Sequence, residues 1–280
     1  MNPDFTIVTA SYNYGHHIRE CLESVAGQSG VTLEHLIYDG CSTDDTAEIV
    51  AEFPHAKFAQ EPDEGMSDAI NKGFSAAKGK WVMWLNSDDR LREGVLEAVL
   101  KFAEGKEDAD VIYGGWNFVN EDGSHQRTMT LFPFQKSMLC YYGCYIGSTS
   151  SFYRNDTTIA KGIHLDINYR YVMDGEFYNR LASLGKKFCY MHAILADFRI
   201  HGKNLSLKNK DCDGASGRLV LEQQYAESNA IRRVYGWKFV SNPPWIWFLD
   251  GVLFGYFGLK KFMLKRLYRA IFPLIKVSKG

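Results

Sequence analysis

Short apolar runs alternate with amphipathic stretches over the first 115 residues of the chain. Phe5 to Ala10 is rich in β-formers and predicts a strand. Turn formers follow in Ser11-Tyr-Asn-Tyr-Gly-His-His17. Ile18, Cys21, Leu22 and Val25 then share one helical face, which predicts a helix over 18–26. The alternation repeats with strands over 33–38, 56–59, 81–85 and 111–115, helices over 46–53 and 94–103, and a loop from Asp63 that runs into a third helix reaching Ala77. Trp81 to Leu85 is apolar without a break and reads as a strand buried on both faces. A β-α repeat of this kind implies a mostly parallel sheet with right-handed crossovers.

Beyond residue 115 the pattern changes. Residues 118–131 predict a hairpin turning at Glu121-Asp-Gly-Ser124, and residues 133–145 a helix. Gly147 to Arg154 reads as a loop entering a strand. Val172 to Ala182 begins with acids and becomes an amphipathic helix. Lys187 to Leu195 predicts a strand, residues 198–206 a basic loop, 205–214 a polar and mobile stretch, and 218–235 a helix. The expected organisation is a nucleotide-sugar-binding half over 1–115, an acceptor-binding half of the same domain over 116–240, and a tail over 241–280.

Chemistry concentrates where the strands stop. Asn86-Ser-Asp-Asp89 follows the buried run, and ligands of open α/β sheets bind beyond the carboxyl ends of strands. Two carboxylates there call for a neutralising group, and a hard divalent cation carrying a substrate diphosphate would serve. A dehydrogenase is excluded by the first turn, which holds one glycine where the dinucleotide fingerprint needs three. A nucleotidyltransferase is disfavoured because that turn lacks a glycine-rich, Lys- or Arg-bearing loop.

Four motifs in order resemble the family 2 glycosyltransferases. They are Thr9-Ala-Ser-Tyr-Asn13, Asp39-Gly-Cys-Ser-Thr-Asp-Asp-Thr46, Gly65-Met-Ser-Asp-Ala-Ile-Asn-Lys-Gly73 and Leu85-Asn-Ser-Asp-Asp89. Asp174, six residues before Arg180, looks like that family's catalytic-base helix. The resemblance covers roughly residues 4–206. It implies an inverting, GT-A type enzyme, with a Rossmann-like, mostly parallel central sheet flanked by helices and here a C-terminal helical appendage. Thr9, Ala10, Ser11 and Tyr12 would line the nucleotide base and Asp39 would hydrogen-bond it. Gly65 and Asp68 would approach the ribose, diphosphate or sugar. Asn86 stands where the family has the first acid of its metal motif, so Asn86 and Ser87 are expected on hydroxyls of the donor. Asp88 is the main expected ligand of Mn²⁺ or Mg²⁺, with His201 a second ligand or phosphate contact. Asp174 would take the acceptor proton, with Glu176 as runner-up. The donor is expected to be a nucleoside-diphosphate sugar, with UDP as the expected nucleotide, and the acceptor a glycan or lipid-linked sugar in surface polysaccharide synthesis. The alternative is a non-catalytic nucleotide-sugar or glycan-binding module.

Charge and composition refine the partners. The net charge is −1, yet the residues from Gly258 to Gly280 carry seven Lys or Arg and no acid, which leaves about −8 on the remainder. That argues against nucleic acid. Residues 245–258 are apolar and aromatic but short of a membrane span. Leu259, Phe262, Met263, Leu267, Ala270, Ile271 and Leu274 then recur at helical spacing among cations. Residues 245–277 are therefore expected to make peripheral contact with anionic lipid. Six cysteines without a CxxC pair, and an N-terminus without a signal-peptide pattern, point to a cytoplasmic protein on the inner face of the cell membrane.

Overall fold

The computed structural model describes residues 2–202, 204, 215–236 and 246–271. The expected polar stretch over 205–214, residues 237–240, and residues 241–245 and 272–280 of the tail lie outside the described residues. The first half follows the β-α alternation: β1 (Phe5–Ser11), α1 (Gly15–Ala26), β2 (Leu33–Asp39), α2 (Thr46–Ala51), β3 (Ala56–Gln60), α3 (Met66–Ala76) and β4 (Trp81–Trp84). A short β5 (Arg90–Leu91) and α4 (Val95–Glu104) lead into β6 (Val111–Val119). The second half contributes β7 (His125–Met129), α5 (Lys136–Tyr141), β8 (Ser151–Arg154), α6 (Met173–Ser183), β9 (Phe188–Arg199), α7 (Ala215–Tyr235) and α8 (Ile246–Ile271).

One sheet runs through both halves in the order β3-β2-β1-β4-β8-β6-β9-β5, with β7 paired to β6. The four leading strands are parallel, and β1 aligns Ser11 with Asp39 of β2. Strand β8 is wedged antiparallel between β4 and β6, a long-range pairing that the alternation did not foretell. The expected boundary at residue 115 falls inside β6, which is buried along its whole length. Side chains of β4 pack on both faces: Val82 and Trp84 on one, Trp81 and Met83 on the other. Gly73 shows why α3 lies so close, since a Cβ there would stand 2.2 Å from the Cγ1 of Val8.

Three elements differ from expectation. Helix α5 ends at Tyr141, and Gly143 turns the chain with φ of 123°. Strand β9 continues to Arg199, through what reads as a polar loop. Residues 246–271 form one continuous helix, α8, rather than an apolar run followed by a helix. Its Phe257 is buried and stacks on Tyr141 at 6.0 Å. Lys261 lies 4.5 Å from the ring centre of Tyr142. Tyr256, Leu259, Phe262, Met263 and Leu267 remain exposed. Among the described residues no helix is long and apolar enough to cross a membrane.

Candidate functional site

The carboxyl ends of β1 and β4 open onto a cavity of about 410 Å³. Strand periodicity decides which motif residues reach it. Ala10, Ser11 and Tyr12 line it, whereas Thr9 is fully buried and its hydroxyl lies 2.9 Å from His35 Nε2. Gly65, Asn86, Ser87, Asp88 and Asp174 also line the cavity. The motif residues that the sequence spaces over 160 positions thus meet at one opening. Asp39, Asp68 and His201 are not among its lining residues.

Asp39 is buried at the end of β2 and folds the next loop around itself. Its carboxylate accepts the Ser42 N–H at 2.7 Å, the Ser42 hydroxyl at 2.5 Å and the Gln60 amide at 3.1 Å. Ser42 Oγ in turn accepts the Asn13 N–H at 2.7 Å. Gly65 has φ of 110°, a conformation that favours glycine, and its carbonyl starts α3 by accepting the Asp68 and Ala69 N–H groups. Asp68 accepts the Glu64 N–H at 3.1 Å and stands 3.6 Å from Lys72 Nζ, so it supports the loop.

Around Asp88 the geometry is tight. His201 Nε2 lies 2.8 Å from Asp88 Oδ2, and Asn204 donates to the same oxygen at 3.3 Å. Asn204 also accepts the His201 N–H at 2.6 Å, which fixes the histidine. Asp89 turns inward, where it accepts the Arg199 N–H at 3.0 Å and the Asn86 amide at 2.9 Å. Burial, and then the charge of Asp88, push its carboxyl well above the ordinary range. Arg199 is only 1% exposed. Its guanidinium donates to the Asp88 and Glu121 carbonyls at 3.1 and 2.5 Å and to Glu20 at 2.5 Å. Position 86 thus adds no acid beside Asp88; Asn86 instead braces Asp89. Its Oδ1, like Ser11 Oγ, is buried without a partner.

Tyr14 and His17 flank the pair, with ring centres 5.8 and 5.0 Å from His201. Burial and the neighbouring acids raise the Tyr14 phenol to about 12, and burial and nearby positive groups lower His17 to about 4. His17 is thus neutral at physiological pH.

Asp174 and Glu176, the two candidate bases, have different surroundings. Asp174 sits in the first turn of α6, half-buried in the cavity wall. Burial raises its carboxyl above the ordinary range, against the lowering effect of the Gly175 N–H that it accepts at 2.7 Å. Glu176 is 2% exposed and faces away. Arg180 donates to both of its oxygens, at 2.9 and 3.0 Å, and the Tyr235 hydroxyl donates at 2.7 Å.

Could a divalent cation fit here? Among the described residues no three His, Cys, Asp or Glu side chains gather as a metal site. Asp88 lines the cavity, and His201 stands behind it with Nε2 2.8 Å from Asp88 Oδ2. Two protein ligands suit Mg²⁺ or Mn²⁺, which takes its remaining positions from substrate phosphates and water. Sequence reasoning missed Asn204, Arg199, Arg170 and Tyr171. The first two sit near His201, but neither carried a motif signal.

Residues 6–174 match the profile of glycosyl transferase family 2. The chain is 34% identical over 128 residues to the succinoglycan biosynthesis protein ExoO of Rhizobium meliloti, covering 45% of this chain and 36% of that protein. It is 29% identical to the chondroitin synthase of Pasteurella multocida over 79% of this chain but 23% of the synthase. The chain thus spans about a third or less of these two relatives' lengths. It is also 29% identical to a PGL/p-HBAD biosynthesis glycosyltransferase of Mycobacterium bovis, over 71% of this chain and 78% of that protein. Among solved structures, S. aureus TarS 1–349 in complex with UDP-GlcNAc aligns at a TM-score of 0.63 and 18% identity, over 83% of this chain and 71% of that one. The mannosyltransferase PcManGT of Pyrobaculum calidifontis, in complex with GDP-Man and Mn²⁺, aligns at 0.56 and 12%, over 94% and 88% of the two chains. These likenesses establish a GT-A fold, and the family match carries the rest: the chain belongs to glycosyl transferase family 2.

Proposed function

We propose that the cavity binds a nucleoside-diphosphate sugar, a UDP-sugar above others, and that the protein transfers the sugar with inversion to a glycan or lipid-linked acceptor. The observation that carries this reading is the shared opening of Asp88 and Asp174: one acid for the leaving group's side, one for the acceptor's. Tyr12, Ser11 and Ala10 line the base and ribose end, and Asp39 serves the base through the loop it holds. Thr9 supports that wall from the core. Gly65 lets the backbone approach the diphosphate, Asp68 braces its loop, and Asn86 and Ser87 offer polar groups to donor hydroxyls.

Asp88 and His201 would hold Mn²⁺ or Mg²⁺. Bound there, the cation would offset the charge that develops on the departing diphosphate. Asp174 accepts the acceptor hydroxyl's proton as that oxygen attacks the anomeric carbon, and burial, which raises its carboxyl, makes it a stronger base than an exposed aspartate. This property favours an enzyme over a binding module. The PcManGT complex contains Mn²⁺ and the TarS complex UDP-GlcNAc, which support the cation and the donor class by analogy.

The exposed α8 ridge of Tyr256, Leu259, Phe262, Met263 and Leu267 lies beside Lys260 and Arg266, the composition of an interfacial helix. We assign it to peripheral contact with an anionic membrane, which would place the enzyme beside a lipid-linked acceptor on the cytoplasmic face.

A thermal-shift screen over UDP-, GDP- and dTDP-sugars with Mn²⁺ tests the reading. A ligand at one hundred times its Kd stabilises by about 2.7 kcal/mol, or roughly 5–10 °C. If no nucleotide sugar shifts the melt, the reading fails.

A further inference from the structure

Helix α7 lies beyond the stretch that matches the family profile. One stripe of it grips the start of α6. Glu227, Ile231 and Tyr235 recur at four-residue spacing and so share a helix face. Glu227 is 9% exposed, and its carboxylate accepts three successive backbone N–H groups: Arg170 at 3.2 Å, Tyr171 at 2.9 Å and Val172 at 3.1 Å. Ile231 is buried, and Gly175 lies beside it. Tyr235 closes on Glu176 at 2.7 Å. The two polar contacts are eight residues apart, about 12 Å along the helix, and bracket the turn that holds Asp174.

The residues that Glu227 fixes belong to the candidate site. Arg170 and Tyr171 line the cavity, and Asp174 follows Val172 by two positions. The Val172 carbonyl accepts the Glu176 N–H at 3.0 Å and so begins α6. A carboxylate accepting consecutive N–H groups is a strong, charge-assisted clasp, and it leaves this stretch little freedom.

We propose that Glu227 is a positioning residue: it latches residues 170–172 and thereby sets the place of Asp174 and of the cavity wall made by Arg170 and Tyr171. This rests on the reading of Asp174 as the acceptor's base. Glu227 touches neither donor nor acceptor. It acts by holding the loop that does. The role differs from that of Tyr235, which fastens Glu176, a residue that does not line the cavity.

Amide hydrogen exchange on the full chain, read beside steady-state turnover of the nucleotide sugar found in the screen, tests the latch. Glu227→Ala should speed exchange at residues 170–172 by about tenfold or more, the loss of charge-assisted hydrogen bonds to the backbone. It should lower kcat by a similar factor, while the exchange of β1 to β4 stays unchanged. Glu227→Gln keeps one acceptor oxygen and should recover part of both. Unchanged exchange at 170–172 in Glu227→Ala overturns the latch. So does faster exchange with unchanged kcat, or a loss spread evenly over the sheet. The Asp174→Asn variant separates the two ideas: if it turns over normally, the base assignment has failed, and the exchange result still judges the latch.

Discussion

Replacing Asp174 and Glu176 separately asks which acid works and which holds the helix. Asp174→Asn keeps the shape but cannot take a proton, so transfer should fall by roughly 10²–10⁴. Stability should not fall, because the raised carboxyl of Asp174 is a burial cost that the amide avoids. Glu176→Gln should do the reverse. It removes the charge facing Arg180 and leaves one oxygen for three donated hydrogen bonds. A hydrogen bond to a charged group contributes about 1.5–3 kcal/mol. Arg180 is 27% exposed, so solvent screens the pair and about 1–2 kcal/mol is the working figure. For a chain of this size that lowers Tm by roughly 2–8 °C. The assay is release of nucleoside diphosphate with acceptor present, beside a calorimetric melt of each variant. The acid limb of kcat/KM should lie above the ordinary aspartate range and vanish with Asp174→Asn. If Glu176→Gln stays folded yet loses transfer, while Asp174→Asn retains it, the reasoning is refuted.

Three further outcomes follow from other parts of the molecule. Asp39→Ala releases Ser42 and Gln60, so nucleotide affinity by calorimetry should weaken whichever sugar is attached; an effect confined to one sugar would contradict this. His35 is lowered to about 3 by burial first and by His55 second, so the unfolded chain binds its proton below the ordinary value of 6.5 while the folded chain does not. Stability is then lost as pH falls from 6.5 toward about 3, by up to about 1.4 kcal/mol per pH unit from this group; urea melts of His35→Gln should show a flatter pH slope, and an unchanged slope would contradict it. Finally, replacing Leu259, Phe262 and Leu267 with Ser spares the Phe257 contact with Tyr141 but removes three apolar groups worth about 1.5–3 kcal/mol each on burial. Co-sedimentation with anionic vesicles should drop while nucleotide binding persists, and high salt should weaken the wild-type interaction.

The alternation of apolar runs and turn formers made the leading half of the sheet legible, since each parallel strand there is a local apolar signal. The wedge of β8 between β4 and β6 was not, because that pairing joins residues about 70 positions apart. Strand β9 outruns its expected end because Arg199, polar by type, is buried with carbonyl and carboxylate partners. At the site, the motifs mark the turns that meet at the cavity but not which face each residue takes. Thr9 alternates into the core while Ala10 and Ser11 reach the cavity. Asp39 is a buried brace rather than a wall residue. Glu227 stands 55 to 57 positions from the N–H groups it accepts, and no local pattern marks a carboxylate of that kind.

Titration calorimetry of the nucleotide sugar with and without Mn²⁺, on the wild type and on Asp88→Ala, tests the central claim most directly. Wild-type affinity should rise with Mn²⁺ by at least about tenfold, or about 1.4 kcal/mol. Asp88→Ala should bind without the metal about as the wild type does and lose that increment. The same Mn²⁺ enhancement in Asp88→Ala, or a wild type that binds no nucleotide sugar under either condition, would contradict it.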